Sequence, residues 1–128
     1  LIENGVFGFQ RLTAPPFNAL QDGQTYNFPD YDNDGDLDIC LTNYAGAGNR
    51  FWRNDQGVYV SVNTPFTVQS THLANVWGDV DNDGDLDVLI SSDAGPSVRL
   101  FRNKGDGTFE NGKLAGIAAN NICGVALA

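Results

Sequence analysis

The chain reads DYDNDGDLD at residues 30–38 and DVDNDGDLD at residues 79–87. The two stretches differ at one letter, and they begin 49 residues apart, at 30 and at 79. The same spacing places RFWRN of residues 50–54 over RLFRN of residues 99–103. A repeat at a fixed period of this length predicts that the chain is built from copies of one supersecondary unit.

A glycine-containing turn before an aromatic residue is the third landmark of the repeat. It occurs at residues 5–9, 56–59 and 105–109, which read GVFGF, QGVY and GDGTF. Between the last two copies the spacing is 50 residues, from Tyr59 to Phe109. We therefore expect the second unit to carry one extra residue in the loop before this aromatic.

The segments between these landmarks have the patterns of short strands. Apolar residues alternate over residues 58–62, as in a half-buried strand, and residues 39–41 and 88–90 are continuous apolar runs, as in strands buried on both faces. Each unit is predicted to hold four strands: one before the acidic loop, one after it, one at the arginine–aromatic segment and one after the glycine turn. We therefore expect an all-β fold, a β-propeller of four-stranded blades with about two and a half blade units in this chain.

The repeat also predicts where the units begin and end. We expect a partial unit at about 1–23, complete units at about 24–72 and 73–121, and the start of another at about 122–128. A stack of units that lacks neighbours leaves apolar faces exposed at its ends. The chain is therefore expected to be a segment of a longer propeller, or to complete a ring together with other subunits.

The two acidic loops each contain five aspartates in nine residues and no lysine or arginine. Their mutual repulsion favours binding of a cation, and Ca²⁺ suits them because it accepts about 6–8 oxygen ligands. Glycine at the sixth position, Gly35 or Gly84, permits the sharp bend at positive φ that such a loop needs. The sequence predicts two calcium sites, one per loop, with Asp36 and Asp85 contributing backbone carbonyls. The full set of candidate ligands is Asp30, Asp32, Asp34, Asp36 and Asp38 in the first loop and Asp79, Asp81, Asp83, Asp85 and Asp87 in the second.

Other kinds of metal site agree less well with the sequence of these loops. An EF-hand needs a glutamate at its twelfth position and flanking helices, whereas this position holds Leu41 and Ile90 and both flanks resemble strands. Mg²⁺ demands compact octahedral geometry, and Zn²⁺ prefers histidine or cysteine, which neither loop contains. We expect the calcium to be structural, with a regulatory or ligand-bridging ion as the alternative.

Composition and charge exclude several classes of function. Seven basic residues face sixteen acidic ones, for a formal net charge of −9. Such a surface does not favour nucleic acid or anionic lipid, since both are bound through lysine and arginine. No apolar run approaches the ~20 residues that a membrane-spanning helix needs, so we expect no membrane insertion. No nucleophile–base pair stands out, and we expect no catalytic residues.

These residues resemble the FG-GAP/VCBS repeat family, which occurs in the propellers of integrin α-subunits and in many secreted bacterial proteins. The resemblance rests on the two aspartate loops, the two arginine–aromatic segments and the GDGTF turn, and it covers nearly the whole chain. It implies a propeller in which a calcium-binding loop joins the first two strands of a blade. It further implies side-chain ligands at Asp30, Asp32, Asp34 and Asp38 in the first loop and at Asp79, Asp81, Asp83 and Asp87 in the second.

The resemblance also implies a function. It suggests a non-enzymatic, calcium-stabilised module for adhesion, scaffolding or binding of a protein or glycan, in the extracellular space, at the cell surface or in the periplasm. Its partners would be such a ligand, or neighbouring subunits and blades that complete the propeller. The alternative is a subunit or accessory domain of a secreted carbohydrate-active enzyme or of a larger extracellular assembly.

Three further groups of residues receive structural interpretations. The arginines of the two arginine–aromatic segments are expected to face solvent and to brace neighbouring carboxylates. Cys40 aligns with Leu89 of the next unit and is interpreted as a small buried hydrophobe, which we do not expect to bridge to the distant Cys123. Aromatic residues at repeat-equivalent places are expected to pack between blades, namely Phe28, Phe51, Trp52, Tyr59, Trp77, Phe101 and Phe109.

Overall fold

The part of the chain that the structure describes forms ten short antiparallel strands. A computed structural model of the chain describes residues 2–3, 6–7, 23–43, 48–67, 72–92 and 98–113, and these contain no helix. Within those ranges there is accordingly no helical segment of the length and apolar character needed to cross a bilayer. The strands are β1 (Ile2–Glu3), β2 (Val6–Phe7), β3 (Gly23–Asn27), β4 (Ile39–Asn43), β5 (Arg50–Asp55), β6 (Val58–Ser61), β7 (His72–Gly78), β8 (Asp87–Ser92), β9 (Val98–Asn103) and β10 (Phe109–Asn111).

Eight of the strands form two four-stranded sheets in which each strand pairs with the next along the chain. The first sheet has the order β3-β4-β5-β6, and the second has the order β7-β8-β9-β10. The predicted four strands per unit are therefore confirmed. The registers match as well, because Ile39 pairs with Trp52 in the first sheet and their counterparts Val88 and Phe101 pair in the second.

The last hairpin of each sheet shows the predicted difference in loop length. In the first sheet Asn54 pairs with Tyr59, and the turn residues Gln56 and Gly57 have φ angles of 52° and 90°. Two successive positive φ angles are those of a type I′ turn, whose twist matches that of the flanking strands. In the second sheet Asn103 pairs with Phe109, so five residues instead of four separate the partners. The expected one-residue insertion is confirmed.

A short hairpin near the start of the chain repeats this local geometry. Strands β1 and β2 pair through Glu3 and Val6, with two residues between them. Asp55 and Val58 pair in the same way around their own two-residue turn. The β1–β2 hairpin thus has the register of the last hairpin of a unit.

Each sheet has two faces that can be compared residue by residue, because side chains alternate along a strand. We call one of them the upstream face and the other the downstream face. The upstream face carries Ile39, Leu41 and Trp52 in the first sheet and Val88, Ile90 and Phe101 in the second; the downstream face carries Cys40 and Phe51 in the first sheet and Leu89 and Leu100 in the second.

The downstream face of the first sheet packs against the upstream face of the second. Phe51 lies at this interface, with its ring centroid 5.5 Å from that of Trp77 and 6.2 Å from that of Phe109. Phe66, from the segment that links the two sheets, has no exposed surface and lies 5.4 Å from Phe101 between ring centroids. Such tilted and edge-to-face contacts are those that aromatic rings prefer. The buried members of this main core are Tyr31, Cys40, Phe51, Phe66, Val88, Ile90, Phe101 and Phe109.

The expected packing of aromatic residues between sheets is confirmed for Phe51, Trp77, Phe101 and Phe109. Trp52 lies in a second apolar cluster with Ile39 and Leu41 on the upstream face of the first sheet, and Tyr59 packs against that cluster. The expectation for Phe28 is wrong, since 57% of its surface is exposed. Its equivalent Trp77 packs on the sheet that precedes it, whereas the described residues contain no four-stranded sheet before Phe28.

The outer strand of the first sheet also differs from its sequence pattern. Residues 58–61 form β6 as predicted, but Val58 and Val60 are exposed and only Tyr59 packs against the upstream cluster. Because β6 has one neighbouring strand instead of two, much of its surface stays in contact with solvent.

Cys40 is a buried free cysteine, as its alignment with Leu89 predicts. Burial raises the pKa of its thiol, so the group remains protonated within the main core. Cys123 lies outside the described residues.

The first strands of the two sheets, β3 and β7, lie side by side and are linked by side-chain hydrogen bonds. Thr25 Oγ1 donates to the carbonyl of Leu73 at 2.9 Å. The Asn27 side-chain amide donates to the backbone carbonyl and to Oδ1 of Asn75, at 2.7 and 2.9 Å. These polar contacts fix the two sheets relative to each other at one edge of the apolar interface.

Candidate metal centre

The two acidic loops occupy the same place in their units, between the first and second strands of each sheet. Residues 28–38 join β3 to β4, and residues 79–86 join β7 to β8. The first loop is closed by the backbone N–H of Asp38, which donates to the carbonyl of Pro29 at 2.8 Å. The second is closed by the ladder pair of Gly78 and Asp87.

The first aspartate of each loop organises the backbone that follows it. Asp30 accepts hydrogen bonds from the N–H groups of Asp34 and Gly35, both at 3.1 Å. Asp79 accepts the corresponding bonds from Asp83 and Gly84, at 3.1 and 3.0 Å. An aspartate that satisfies the backbone donors just ahead of it curls the chain into a compact loop.

Positive backbone angles explain two positions of the repeated motif. Gly35 and Gly84 have φ of 91° and 94°, which confirms the role predicted for glycine at the sixth position. Asn33 and Asn82 have φ of 59° and 60°, in the left-handed region that asparagine tolerates better than most residues. The sequence interpretation did not foresee the role of the asparagines, although their recurrence in both loops was a signal for it.

The last aspartate of each loop is fully buried and braces the loop to the third strand. Asp38 accepts the N–H groups of Tyr31 at 3.0 Å and Asn54 at 2.8 Å. In the second unit Asp87 accepts those of Val80 and Asn103, at 3.0 and 2.9 Å.

Burial of Asp38 affects the protonation of its carboxyl group. Desolvation raises the pKa of Asp38 to about 6, although its hydrogen bonds from Tyr31 and Asn54 act in the opposite direction. A nearby cation would favour the ionised carboxylate.

Three carboxylates converge in each loop. Oxygen atoms of Asp30, Asp32 and Asp38 all lie within 4.8 Å of one another, and so do those of the second set. Ca²⁺ binds oxygen at about 2.3–2.6 Å, so two ligands on opposite sides of one ion are about 4.6–5.2 Å apart. The donor sets therefore fit a hard cation in both charge and spacing. The second set is Asp79, Asp81 and Asp83.

The remaining predicted ligands lie outside these two convergent sets. Asp34 and Asp36 of the first loop do not join the first set, and Asp85 and Asp87 do not join the second. Asp36 Oδ2 accepts the N–H of Gln56 at 2.9 Å, which ties the loop to the β5–β6 turn. Mutual repulsion is visible at Asp32, where burial and then the neighbouring Asp34 carboxylate raise the pKa.

Two asparagines connect the first loop to the second unit. The Asn33 side-chain amide donates to Asp85 Oδ1 at 3.0 Å and to the carbonyl of Gly84 at 3.4 Å. The Asn103 side-chain amide donates to the carbonyl of Tyr31 at 2.8 Å. The two loops are therefore parts of one hydrogen-bonded edge.

Two of the four arginines, Arg53 and Arg102, brace carboxylates as expected, but in two different ways. Arg53 forms a two-point ion pair with Asp55, and this side-chain hydrogen bonding lowers the pKa of Asp55. Arg102, its repeat equivalent, pairs with Asp81 in the second acidic loop. The sequence had indicated no base within either loop, and this contact shows that a strand residue supplies one.

Comparison with known proteins agrees with the repeated geometry. A family model described as an FG-GAP-like repeat matches the chain twice, at residues 30–90 and 79–128. Neither match coincides with one sheet, and each begins at the first aspartate of an acidic loop. No curated protein and no solved structure matches the chain.

Proposed function

Because the chain belongs to the FG-GAP-like repeat family, we propose that it forms part of a calcium-stabilised β-propeller that serves adhesion, scaffolding or ligand binding outside the cell. The proposed units are about 24–72 and 73–121, flanked by partial units at about 1–23 and 122–128. We propose no catalytic residue.

The observation that carries this proposal is the presence of three convergent carboxylates in each of the two repeated loops. Both loops have nearly the same backbone angles, and in both the first aspartate accepts the same hydrogen bonds from backbone N–H groups. The third carboxylate of the set is Asp38 in the first loop and Asp83 in the second. One Ca²⁺ would be held by Asp30, Asp32 and Asp38, and a second by Asp79, Asp81 and Asp83, with the other loop aspartates as further candidate ligands. The bound ion would supply the positive charge that offsets carboxylate repulsion. Since the unfolded chain has no such site, calcium binding would contribute directly to folding.

The role of the loops is thus structural. Each joins the first two strands of its sheet, and Asp38 or Asp87 ties it to the third strand. A cation that holds the loop in this shape therefore stabilises three of the four strands of a unit. The loop also meets the neighbouring unit through Asn33, so the stabilisation extends across the interface.

A calorimetric melt with and without calcium tests the proposal. We expect chelation with EDTA to lower the melting temperature by several degrees and added calcium chloride to restore it, since a ligand that binds only the folded state stabilises it by mass action. Magnesium chloride at the same concentration serves as the control and should restore less. An identical melting curve in EDTA and in excess calcium would contradict the proposal.

A cleft on the second sheet supports neighbouring repeat units as partners. A cavity of about 560 Å³ is lined by Val80 and Leu100, among others. Their equivalents in the first unit, Tyr31 and Phe51, are covered by aromatic residues of the second unit, including Phe109. By this equivalence, the proposed occupant of the cleft is the upstream face of a further unit of the same kind. A protein or glycan ligand would then bind to loops of the assembled propeller.

A further inference from the structure

Repeat-equivalent arginines of the two units have different carboxylate partners. Arg53 donates through Nε and Nη2 to the two carboxylate oxygens of Asp55, each at 2.8 Å. The residue at the equivalent place in the second unit is Lys104, which cannot accept a hydrogen bond. Arg102 instead donates to Asp81. The residue two positions after the arginine can therefore accept its hydrogen bonds in the first unit but not in the second, where the arginine pairs with an aspartate of the acidic loop.

This difference changes the charge at only one of the two loops. Asp81 belongs to the convergent set of the second loop, and a guanidinium now neutralises it. Its equivalent Asp32 in the first loop has Arg53 in the vicinity, but the hydrogen bonds of Arg53 go to Asp55. A cation that binds the second loop must displace this guanidinium or bind beside it, against electrostatic repulsion. In the first loop a cation would not have to break a hydrogen bond between Arg53 and Asp32, because Arg53 is paired with Asp55.

We infer that Arg102 competes with Ca²⁺ for Asp81, so that the second loop binds Ca²⁺ more weakly than the first. The inference rests on the proposed function, because it concerns the same two loops. We expect the dissociation constants to differ by about two- to fivefold, the range that corresponds to breaking an exposed ion pair. Arg102 is thus assigned as the residue that sets the order in which the two loops fill.

A residue-resolved titration of the full chain tests the inference. The amide signals of Gly35 and Gly84 in ¹⁵N-edited NMR spectra report on the first and second loop separately while calcium chloride is added. In the wild-type chain the Gly35 signal should saturate at lower calcium. In Arg102→Ala the midpoint of the Gly84 titration should fall to about two- to fivefold lower calcium concentration, whereas the midpoint of the Gly35 titration should stay the same.

A second variant tests the same contact without removing the arginine. Lys104→Asp gives Arg102 the acceptor that Arg53 has in Asp55, and it should strengthen calcium binding at the second loop in the same way. Lys104→Leu is the control, because it removes the same positive charge and supplies no acceptor for Arg102. The reciprocal change, Asp55→Lys, should release Arg53 and weaken calcium binding at the first loop.

The outcomes separate the inference from the proposed function. A wild-type difference that Arg102→Ala and Lys104→Asp both reduce, while Lys104→Leu reduces it less, supports the inference. Equal saturation of the two loops, or an effect of Lys104→Leu as large as that of Lys104→Asp, overturns it and leaves calcium binding intact. If neither glycine signal responds to calcium, the proposed function fails and the inference fails with it.

Discussion

The side-chain amide of Asn103 donates a buried hydrogen bond of 2.8 Å to the backbone carbonyl of Tyr31, across 72 residues of sequence. Its equivalent Asn54 donates at 3.1 Å to the carbonyl of Leu37, within its own unit. Asn103 also donates at 3.3 Å to the carbonyl of Leu86, the counterpart of Leu37. The asparagine of the repeat thus closes the loop of its own unit in both cases, and in the second unit it joins the two units as well. This contrast allows the polar contribution to the interface to be measured.

We expect Asn103→Ala to destabilise the chain more than Asn54→Ala. The substitution leaves the Tyr31 carbonyl without its buried donor, and such a loss costs about 1–3 kcal/mol. Equilibrium urea unfolding of both variants, at saturating calcium, measures the difference. Asn54→Ala is a matched control, since it removes the same side chain from the equivalent strand position. Equal free energies of unfolding for the two variants would show that the bond to Tyr31 contributes nothing to the interface.

The bond from Asn33 to Asp85 makes a second prediction about the contact between the loops. Asn33→Gly removes this bond but keeps the positive φ, which glycine adopts without strain. Asn82→Gly is the control, because Asn82 has nearly the same φ and has no hydrogen bond to another loop within the described ranges. We expect Asn33→Gly to be less stable than Asn82→Gly by about 0.5–1 kcal/mol in chemical unfolding. The reverse order would argue against a link between the loops.

A third prediction compares two phenylalanines of opposite burial. Phe66→Ala should cost about 3–5 kcal/mol, because it removes a fully buried ring that contacts aromatic side chains from both sheets. Phe28→Ala should cost about 0.5 kcal/mol or less, since most of that ring is in contact with solvent. Thermal or urea unfolding measures both. A Phe28 variant as unstable as the Phe66 variant would contradict the assigned interface.

Salt provides a fourth test, directed at repulsion within the acidic loops. Raising sodium chloride from about 0.01 M to about 1 M shortens the Debye length from about 30 Å to about 3 Å. The calcium-free chain should therefore melt at higher temperature in high salt, by about 4 °C for each kcal/mol of repulsion that is screened. The calcium-loaded chain should respond much less, because the bound ion already offsets the charge. Equal salt dependence in EDTA and in calcium would contradict this account.

The repeat made the strand plan predictable. One spacing of 49 residues, with a slip to 50, was enough to place four strands in each unit and one extra residue in the second hairpin. The glycines of the acidic loops were predictable for a physical reason, since their positive φ excludes most other residues. Features of this kind can be recognised in a single sequence because they occur in both repeat units.

Contacts that break the repeat could not be predicted in the same way. Phe66 belongs to the linking segment and aligns with Gly116, so no second copy marked it as a core residue. Phe28 does align with Trp77, and this misled the interpretation, because burial depends on what lies against a side chain and not on its place in the unit. Arg102 and Arg53 also look alike in sequence. Their partners differ because Lys104 stands where the first unit has Asp55.

The downstream face of one sheet packs on the upstream face of the next, so the contact between sheets joins two different surfaces and has a direction. Phe51 and Val88 lie on opposite sides of a heterologous interface, so adding units by the same operation builds a head-to-tail series and never a two-fold dimer. Such a series closes into a ring only when the rotation between successive units divides a full turn, and otherwise it winds into a spiral. Phe66 packs between the two sheets, and the rotation from one sheet to the next determines how many units complete one ring.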